Sequence, residues 1–559
     1  MKAALRLLLA PYRFSVDRLF RMGEVGWAHW YDSPSLYSGG NHPYLYQDSA
    51  GTTPVTAVGQ SNGLILDRAY GGRTEESLLA NGATGLTGTA TAASYSTTTF
   101  AGSVSRAGDA SNQSWVTWTG LTTSSIYRIR ITNTGATSLD VRNGGVAGTI
   151  VASIAAGATS YVHPLTSGGS TSITITATAN STTATFTLSE FARVPGTHRI
   201  QASAPSRPLL MARVNILRET ETLTAATWTK TNVSVAASPA TDPNGGLKAF
   251  RITATAGNGF AFQSNSLLVS GASYKNRMFV RRVSGTGVVK FFGPDGSSYT
   301  DITAALTTSW AEFTYSGTQP GVAYGPFVQL ATSGDVVDVA FPDCRTADDA
   351  AKNIPAYQRV GATAADHDTA GFPHYLLYDG TDDSYASTAT VDGSATDKVT
   401  VVTGVTKLSD AAQSIVLESS ASVGSNYGSI AISPSMSATS NYGFFLLGGN
   451  VGSSLGGYRA DGYAAPISNV LTGQWDISGS TLAAEIQPRV NSVSPSLTEV
   501  NSGTGTGNFG NHTIYWGSRA GSSLRFIGRE YGGVGRFGPM SETERNRLES
   551  WVKNLMRMP

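Results

Sequence analysis

Three carboxylates are close together in the chain, in the stretch Tyr378-Asp379-Gly380-Thr381-Asp382-Asp383. Grouped carboxylates and carbonyls suit calcium, which takes about six to eight oxygen ligands. Asp-Gly is also a strong hairpin signal, and an aspartate accepts hydrogen bonds from its own turn. The favoured interpretation of Asp379, Asp382 and Asp383 is therefore a turn, with a calcium site as the alternative. No other cofactor is predicted.

The histidines do not form a catalytic or metal-binding pattern. None stands in a His-Glu-x-x-His arrangement. His367 and His374 are close in sequence, but their spacing matches neither a helix face nor a strand face. No Gly-x-Ser-x-Gly motif occurs in a strand–turn–helix setting, and no carboxylate pair suggests a glycosidase. The chain is predicted to have no catalytic residues and not to be an enzyme. The histidine positions are 29, 42, 163, 198, 367, 374 and 512.

Exposed tyrosines are the candidates for binding sugars, because sugar sites combine aromatic faces with a few hydrogen-bonding groups. Each of them could instead be a packed strand residue, and the sequence does not show which ones share a face. Trp228 and Trp310 lie in segments with a strand-like residue pattern and are predicted to be core residues. The candidate tyrosines are Tyr299, Tyr324, Tyr427, Tyr442, Tyr458 and Tyr463.

Composition limits the class of protein. At about 100–200 residues per domain, 559 residues indicate three or four domains. Charged residues are 14%, compared with about 25% in ordinary soluble domains, and the net charge is +1. Without a basic patch, nucleic-acid binding is not expected. Cys344 is the single cysteine, so disulfides within the chain are excluded and a buried apolar role is expected.

The N-terminus does not fit a signal peptide. Arg6 interrupts the apolar run, Pro11 follows it, and no small-x-small cleavage pattern comes next. Leu5, Leu8 and Leu9 follow a short helical spacing that Pro11 limits. Nowhere does the chain have about 20 consecutive apolar residues, so no membrane span is predicted.

Residues 1–75 are richer in arginine and aromatic residues than the rest of the chain. One interpretation is a packing segment. The other is an anchor that folds against a partner protein, which the number of aromatic side chains favours. The predicted docking residues are Trp27, Trp30, Tyr31, Tyr44 and Tyr46.

The remaining sequence predicts serial β modules. Alternating stretches such as Tyr127 to Thr132, separated by Gly- and Asn-bearing turns, are typical of sandwiches or jelly rolls. The fold class is therefore mostly β: serial β-sandwich or jelly-roll domains, an N-terminal anchor and one C-terminal helix. The predicted units are a first sandwich at 76–195, a proline-rich linker at 196–212, a second module at 213–345, a polar linker at 346–370 and a third module at 371–559.

The last module ends in a predicted helix over 541–556. Ser541 and Glu544 form a capping box, in which each side chain satisfies a backbone N–H of the other residue. Leu548, Trp551 and Val552 then begin an apolar stripe at helical spacing. We expect this helix to pack against the last sheet.

Three segments carry family resemblances. Leu45 to Asp67 resembles a motif of structural proteins in tailed bacteriophages. Asn215 to Gly245, with the ending Gly334 to Ala340, resembles carbohydrate-binding-module-like jelly rolls of the same phage proteins. Tyr375 to Tyr385 is similar to the first strands of concanavalin-like, laminin-G-like jelly rolls, in which a late strand and a terminal helix also follow.

These resemblances imply a phage virion structural protein of the fibre, spike or decoration type. Such a protein would be made in the bacterial host cytoplasm and would act at the virion surface as a tail or head fibre. It would dock to capsid, portal or tail proteins through residues 1–75, associate with itself as a trimer, and present β domains to host-surface glycans.

Three other functions stay open. One is a capsid decoration protein without a receptor role. The second is a polysaccharide depolymerase, although such enzymes often use long β-helices with short repeats, and this chain shows no repeat period. The third is a secreted bacterial adhesin, which would need an export signal.

Overall fold

The computed structural model describes residues 25–31, 44–68, 76–77, 86–88, 90–95, 100–104, 113–145, 147–166, 170–180, 182, 184–263, 271–319, 327–436 and 439–559. The fold is mostly β and consists of antiparallel sheets packed in pairs, which confirms the predicted class. The predicted helix near Leu5 to Tyr12 lies outside the described residues.

The first three strands of the described part of the chain are short and belong to the C-terminal part of the molecule. They are β1 Gly26–Trp30, β2 Leu45–Tyr46 and β3 Leu64–Ile65. β1 pairs with a strand at Ile527–Phe537, and Trp27 lies opposite Gly535. A Cβ at position 535 would lie 2.1 Å from the Trp27 indole, so the close approach of this ring requires glycine there.

A first sandwich follows, with a five-stranded and a six-stranded sheet. Ile129, Ile131, Phe186 and Leu188 lie in its core, at alternating positions of two paired strands. Its strands are β4 Glu76–Ser77, β5 Leu86–Gly88, β6 Ala90–Tyr95, β7 Phe100–Val104, β8 Gln113–Trp118, β9 Ile126–Asn133, β10 Leu139–Asn143, β11 Thr149–Ile154, β12 Thr159–Val162, β13 Ile173–Asn180 and β14 Ala184–Val194.

Two further short strands return the chain to the C-terminal part, and a second sandwich of two five-stranded sheets follows them. The return strands are β15 Arg199–Ile200 and β16 Leu209–Met211. The sandwich contains β17 Thr229–Thr231, β18 Val233–Ala237, β19 Phe250–Ala254, β20 Gly259–Phe262, β21 Ser273–Ser284, β22 Val289–Phe292, β23 Tyr299–Asp301, β24 Ala311–Thr318, β25 Val328–Leu330 and β26 Val336–Thr346, with a 3-10 turn at Thr303–Ala305.

The C-terminal jelly roll supplies the remaining elements. Its strands are β27 Tyr375–Asp379, β28 Tyr385–Ser387, β29 Val391–Asp392, β30 Lys398–Lys407, β31 Leu417–Glu418, β32 Ser429–Ser433, β33 Asn441–Leu447, β34 Gly456–Asp461, β35 Ile467–Asp476, β36 Ile486–Val490, β37 Leu497–Ser502, β38 Asn511–His512, β39 Tyr515–Trp516 and β40 Ile527–Phe537. The helices are α1 Ala347–Ala350, α2 Leu482–Glu485 and α3 Glu542–Leu555.

The two large sheets of the jelly roll combine distant parts of the chain. The seven-stranded sheet has the order β16-β27-β40-β30-β35-β36, with β1 beside β40. The ten-stranded sheet has the order β2-β3-β15-β28-β39-β31-β32-β33-β34-β37. The first sandwich therefore lies between β3 and β15 in the sequence, and the second between β16 and β27. Both are insertions into the jelly roll, which differs from the simple series that the sequence predicted.

Helix α3 confirms the sequence prediction. The Ser541 hydroxyl accepts a hydrogen bond from the Glu544 N–H at 3.2 Å, and a Glu544 carboxylate oxygen accepts from the Ser541 N–H at 2.8 Å. Leu548 and Val552 are buried against Val402 and Val534 of the seven-stranded sheet. The helix covers the outer face of that sheet.

The two predicted linkers are integrated into the fold. Residues 196–212 contain β15 and β16, which extend both jelly-roll sheets. Residues 346–370 include α1 and the buried side chains of Asp349 and Lys352, and Asp349 contacts Arg529 of β40 at 2.8 Å. The prolines that suggested a spacer stand beside these short strands, where a missing N–H is tolerated.

A buried ion pair joins three distant segments at the centre of the jelly roll. Arg199 of β15 donates two hydrogen bonds of 2.7 Å to the carboxylate of Glu530 in β40. Arg199 also donates to the Tyr31 hydroxyl at 3.1 Å and to His29 Nδ1 at 3.2 Å. This network ties β1 and β15 to β40.

Candidate functional site

One sheet of the second sandwich presents an aromatic outer face. In β20, Ala261 points into the core, so Phe260 and Phe262 point outward. In β22, Phe291 belongs to the core and Phe292 lies on the outer side. The register pairs Phe292 with Tyr299 of β23, which places the two rings side by side on this face. Phe327 precedes β25 and completes the set.

The rings touch in a continuous patch, defined here as the aromatic face: Phe260, Phe262, Phe292, Tyr299 and Phe327. Phe292 stacks on Phe327 with centroids 4.3 Å apart and an interplanar angle of 13°. Phe260 lies 5.6 Å from Phe262 and 5.4 Å from Phe327. Tyr299 lies 5.3 Å from Phe292 and is 47% exposed. The patch is firmly packed at its centre and solvent-accessible at Tyr299.

Polar side chains stand among these rings. Lys290 and Gln329 are paired across β22 and β25, and Gln329 is also paired with Phe260. Lys290 Nζ lies 4.2 Å from the centroid of the Tyr299 ring, at cation–π distance. Asp301 is the partner of Lys290 on β23, and hydrogen bonds from Thr303 lower the pKa of its carboxyl. The face therefore carries apolar rings together with a cationic, an anionic and an amide side chain.

The predicted tyrosines have different positions. Tyr299 lies on the aromatic face, and Tyr324 lies outside the described residues. Tyr427 is 38% exposed on the jelly roll. Tyr458 is half-buried and lines a groove beside Pro488.

Tyr442 and Tyr463 pack together, with ring centroids 5.0 Å apart. The prediction that Tyr442 binds sugar is wrong, because its ring is fully buried between the sheets and its hydroxyl accepts a hydrogen bond from Asn469 at 2.8 Å. Tyr463 is half-buried against the jelly-roll core.

The three aspartates do come together, with one carboxylate oxygen of each within 4.8 Å of the others. The Thr381 N–H donates to Asp379 Oδ1 at 2.7 Å, and the Asp379 N–H donates to Asp383 Oδ2 at 2.9 Å. Burial raises the pKa of Asp383 to about 7, and the other two carboxylates add to this effect. These hydrogen bonds are those of a turn, which explains why the three aspartates lie together. Calcium binding at this turn stays a prediction.

The predicted docking aromatics pack inside the chain instead of facing a partner. Trp27 and Tyr31 lie in the jelly-roll core, where Trp27 meets Trp516 edge-on at 5.9 Å. Trp30 packs on Trp551 of α3 at 5.3 Å. Arg68 lies over the ring of Tyr44 at 4.7 Å. Pairing of β1 with β40 brings Trp27, Trp30 and Tyr31 onto the jelly roll, so the attachment prediction is corrected for the described part of residues 1–75.

The segment 45–67 joins the jelly roll to the first sandwich. Its turn is organised by Asp48, whose carboxylate accepts from the N–H groups of Thr52 and Thr53 at 3.0 and 2.7 Å. Tyr46 is fully buried, and its ring lies 4.5 Å from that of His163 in the first sandwich. This segment therefore has a structural role, because it connects the jelly roll to the first sandwich.

His367, Cys344 and Trp228 have structural roles. Burial lowers the pKa of the His367 imidazole, whose Nε2 accepts from the Ala212 N–H at 3.3 Å. Burial raises the pKa of the Cys344 thiol, which is in the core as predicted. Trp228 is buried as predicted, and Trp310 lies half-buried. Among the described residues, no helix is long and apolar enough to cross a membrane.

The phenylalanines of the aromatic face were not among the predicted residues. Phe260 and Phe262 are two positions apart, a spacing that places them on one side of a strand, and this was the available signal. Phe292 and Phe327 join them only through strand pairing.

No protein-family model and no curated protein matches this chain. Solved structures with similar β folds include the CBM40 module of a Ruminococcus gnavus IT-sialidase bound to α2,3-sialyllactose, at 13% identity over 28% of this chain and 83% of that chain, with a TM-score of 0.22. Another is the tandem CBM22 domains of Paenibacillus barcinonensis Xyn10C, at 12% identity over 52% of this chain and 100% of that chain, with a TM-score of 0.24. A third is the receptor-binding domain of botulinum neurotoxin D, at 10% identity over 32% of this chain and 43% of that chain, also with a TM-score of 0.24.

Proposed function

We propose that this chain is a non-enzymatic glycan-binding protein, and that the aromatic face of the second sandwich is its main sugar-binding surface. The observation that carries the proposal is the contiguous set of five rings on one outer sheet face, beside Lys290, Gln329 and Asp301. The C–H faces of a sugar ring pack on aromatic rings, and its hydroxyls need donors and acceptors at the edge.

The shape of the face favours an extended saccharide over a single small molecule. The rings spread over three strands, β20, β22 and β23, and over Phe327 immediately before β25, instead of enclosing a deep cavity. Phe292 and Phe327 are buried and hold the patch together, so a polysaccharide chain that crosses this face would contact Phe260, Phe262 and Tyr299.

Titration of host-surface polysaccharide against the full chain tests this function. Phe260→Ala and Tyr299→Ala should each weaken binding about tenfold, which corresponds to about 1.4 kcal/mol, because each removes one stacking ring. Tyr427→Ala is the matched control, since Tyr427 is a similarly exposed tyrosine on another module. Equal binding by all four proteins would contradict the assignment of this face.

We further propose that the protein works at the surface of a phage particle as a homotrimeric tail or head fibre. The support is the resemblance of Leu45 to Asp67 and of Asn215 to Gly245 to phage structural proteins. Attachment to capsid, portal or tail proteins is assigned to the N-terminal region. Because residues 25–31 and 44–68 complete the jelly roll, removal of residues 1–24 tests attachment more cleanly than removal of 1–75.

Electron microscopy of particles labelled with an antibody to the jelly roll distinguishes the alternatives. Label on projections from the tail supports a receptor-binding fibre. Regular label over the head supports a head fibre or a decoration protein. A complete absence of label on particles would favour the secreted adhesin.

The non-enzymatic part of the proposal has a separate test. The support is that the sequence has no Gly-x-Ser-x-Gly motif in a strand–turn–helix setting and no carboxylate pair that suggests a glycosidase. Incubation with host capsule or lipopolysaccharide should therefore leave the polymer length unchanged. Release of reducing ends would favour the depolymerase.

A further inference from the structure

A second candidate site lies at one edge of the jelly roll, far in sequence from the aromatic face. Here the edge strand β36 of one sheet approaches β34 and the edge strand β37 of the other, and α3 closes the side. The groove between them has a volume of about 430 Å³, within the range of roughly 300–1,000 Å³ usual for ligand pockets. Its lining includes Tyr458, Gln487, Arg489, Leu497 and Arg545.

The charged groups in this lining are two guanidinium groups, those of Arg489 and Arg545, without a carboxylate. Arg489 is held in place by hydrogen bonds to the Ser492 carbonyl at 3.1 Å and to Asn546 Oδ1 at 2.9 Å. Arg545 donates from Nη1 to Gln474 Oε1. Both side chains are therefore oriented before any ligand arrives, which reduces the entropy lost on binding.

One acidic side chain lies beneath the groove and compensates for part of this charge. Glu549 is fully buried, accepts from the Thr472 hydroxyl at 2.8 Å, and is 3.5 Å from Arg489 Nη2. It balances one of the two guanidinium groups. Glu499 and Glu542 also act on the site, but both are exposed, so solvent screens their charge.

Arg545 is left incompletely paired. Its Nε is buried and has no hydrogen-bond partner among the described residues. Burial, followed by repulsion from Arg489, lowers the pKa of this guanidinium. A buried donor of a charged group is costly when it is unpaired, and an anionic ligand beside it would remove part of that cost.

The remaining lining favours a sugar over a simple anion. The Tyr458 ring is half-buried against the jelly-roll core, and Leu497 is 37% exposed on the neighbouring strand. Gln487 is exposed beside them and offers an amide donor and acceptor. An apolar ring surface, an amide and two guanidinium groups together match a saccharide that carries a carboxylate.

We propose that this groove binds an acidic saccharide, with the carboxylate of a hexuronate unit at Arg489 and Arg545 and its sugar ring against Tyr458. The inference goes beyond the aromatic face, because it assigns a separate site on another module and a preference for charge.

Calorimetric titration of the full chain with an oligogalacturonate, compared with its methyl ester, tests the proposal. The free acid should bind at least tenfold more tightly than the ester. Arg545→Gln and Tyr458→Ala should each weaken binding of the acid at least tenfold, whereas Tyr458→Phe keeps the ring and should stay within about twofold. Arg547→Gln is the matched control, because Arg547 is exposed on the same helix outside the groove lining.

Thermal unfolding of each variant shows whether it is folded. Phe260→Ala should leave oligogalacturonate binding unchanged, so a failure of this site and a failure of the aromatic face are distinguishable. Equal affinity for acid and ester, or unchanged affinity in folded Arg545→Gln and Tyr458→Ala, would overturn the proposal. Sulfate or acetate binding as tightly as the oligosaccharide would overturn the assignment to a sugar.

Discussion

The second sandwich and the jelly roll are both two-sheet β structures, but the outer faces of their sheets differ in exposure to solvent. In the second sandwich, β20 of the sheet that carries the aromatic face alternates between buried and half-buried residues, and β23 at the edge of that sheet is exposed at every position. In the jelly roll, β33 is buried at every position, and β30 and β40 are buried at all but their first residue. The second sandwich therefore keeps a sheet face accessible to solvent, whereas these three strands of the jelly roll are covered on both sides.

The elements that pack on the sheets of the jelly roll explain this difference. Helix α3, strand β1 and the segments that surround the two insertions pack on or extend its sheets. Buried ion pairs of Glu530 and Asp349 hold these elements against the sheets. The comparison indicates that the jelly roll holds the modules together, whereas the second sandwich leaves the sheet that carries the aromatic face accessible to solvent.

The largest predicted effect is on the central ion pair. Glu530→Gln leaves the fully buried Arg199 guanidinium without a counter-charge, which should lower the free energy of unfolding of the jelly roll by about 3–5 kcal/mol. Chemical denaturation followed by tryptophan fluorescence measures the change. The same substitution at Glu312, which is 40% exposed in its ion pair with Arg277 on the second sandwich, should cost less, because solvent screens this carboxylate. Equal losses would contradict the contrast between the two units.

A second substitution tests the place of β1. Trp27→Ala removes a buried ring from the jelly-roll core and should destabilise that unit by about 3–5 kcal/mol. The loss should be visible as a lower Tm of the jelly-roll transition. A variant with unchanged Tm that fails to join particles would restore the docking role of Trp27.

A third prediction concerns pH. Because the pKa of Asp383 is raised to about 7 in the folded chain, this group stabilises the fold at low pH, and its contribution falls as pH rises from about 4 to 7. Asp383→Asn should remove this slope and raise stability at pH 8 by about 1–3 kcal/mol, since no charge is then buried. Unfolding titrations at pH 5 and pH 8 measure the difference. A steeper loss of stability in the variant would contradict the sign.

The smallest effect should come from the open face itself. Tyr299→Ala removes a ring that is 47% exposed, so the free energy of unfolding should change by no more than about 0.5 kcal/mol while glycan binding falls. Denaturation and binding measured on one preparation separate the two. A large loss of stability would mean that the ring serves packing instead of recognition.

Local patterns in the sequence were sufficient for the elements and the helix. The capping box at Ser541 and the alternating stretch at Tyr127 are interactions between residues close in sequence, and both appear as predicted. Asp379, Asp382 and Asp383 were likewise predicted as a turn from adjacent residues.

Long-range pairing was not predictable in the same way. Trp27 lies opposite Gly535, and Arg199 pairs with Glu530, so no local pattern reports either contact. The aromatic face depends on the register of β20, β22, β23 and β25, and the sequence does not specify that register. For the same reason, Tyr442 and Tyr299 looked alike in sequence, although one is core and the other is exposed.

Hydrogen–deuterium exchange of the full chain, with and without host-surface polysaccharide, tests the central claim most directly. The account predicts that the ligand slows exchange in residues 259–262, 289–301 and 327–330, which form the aromatic face. The buried segments 26–30 and 527–537 should not change. Protection confined to the buried jelly-roll strands, or the absence of protection in the second sandwich at saturating polysaccharide, would contradict it.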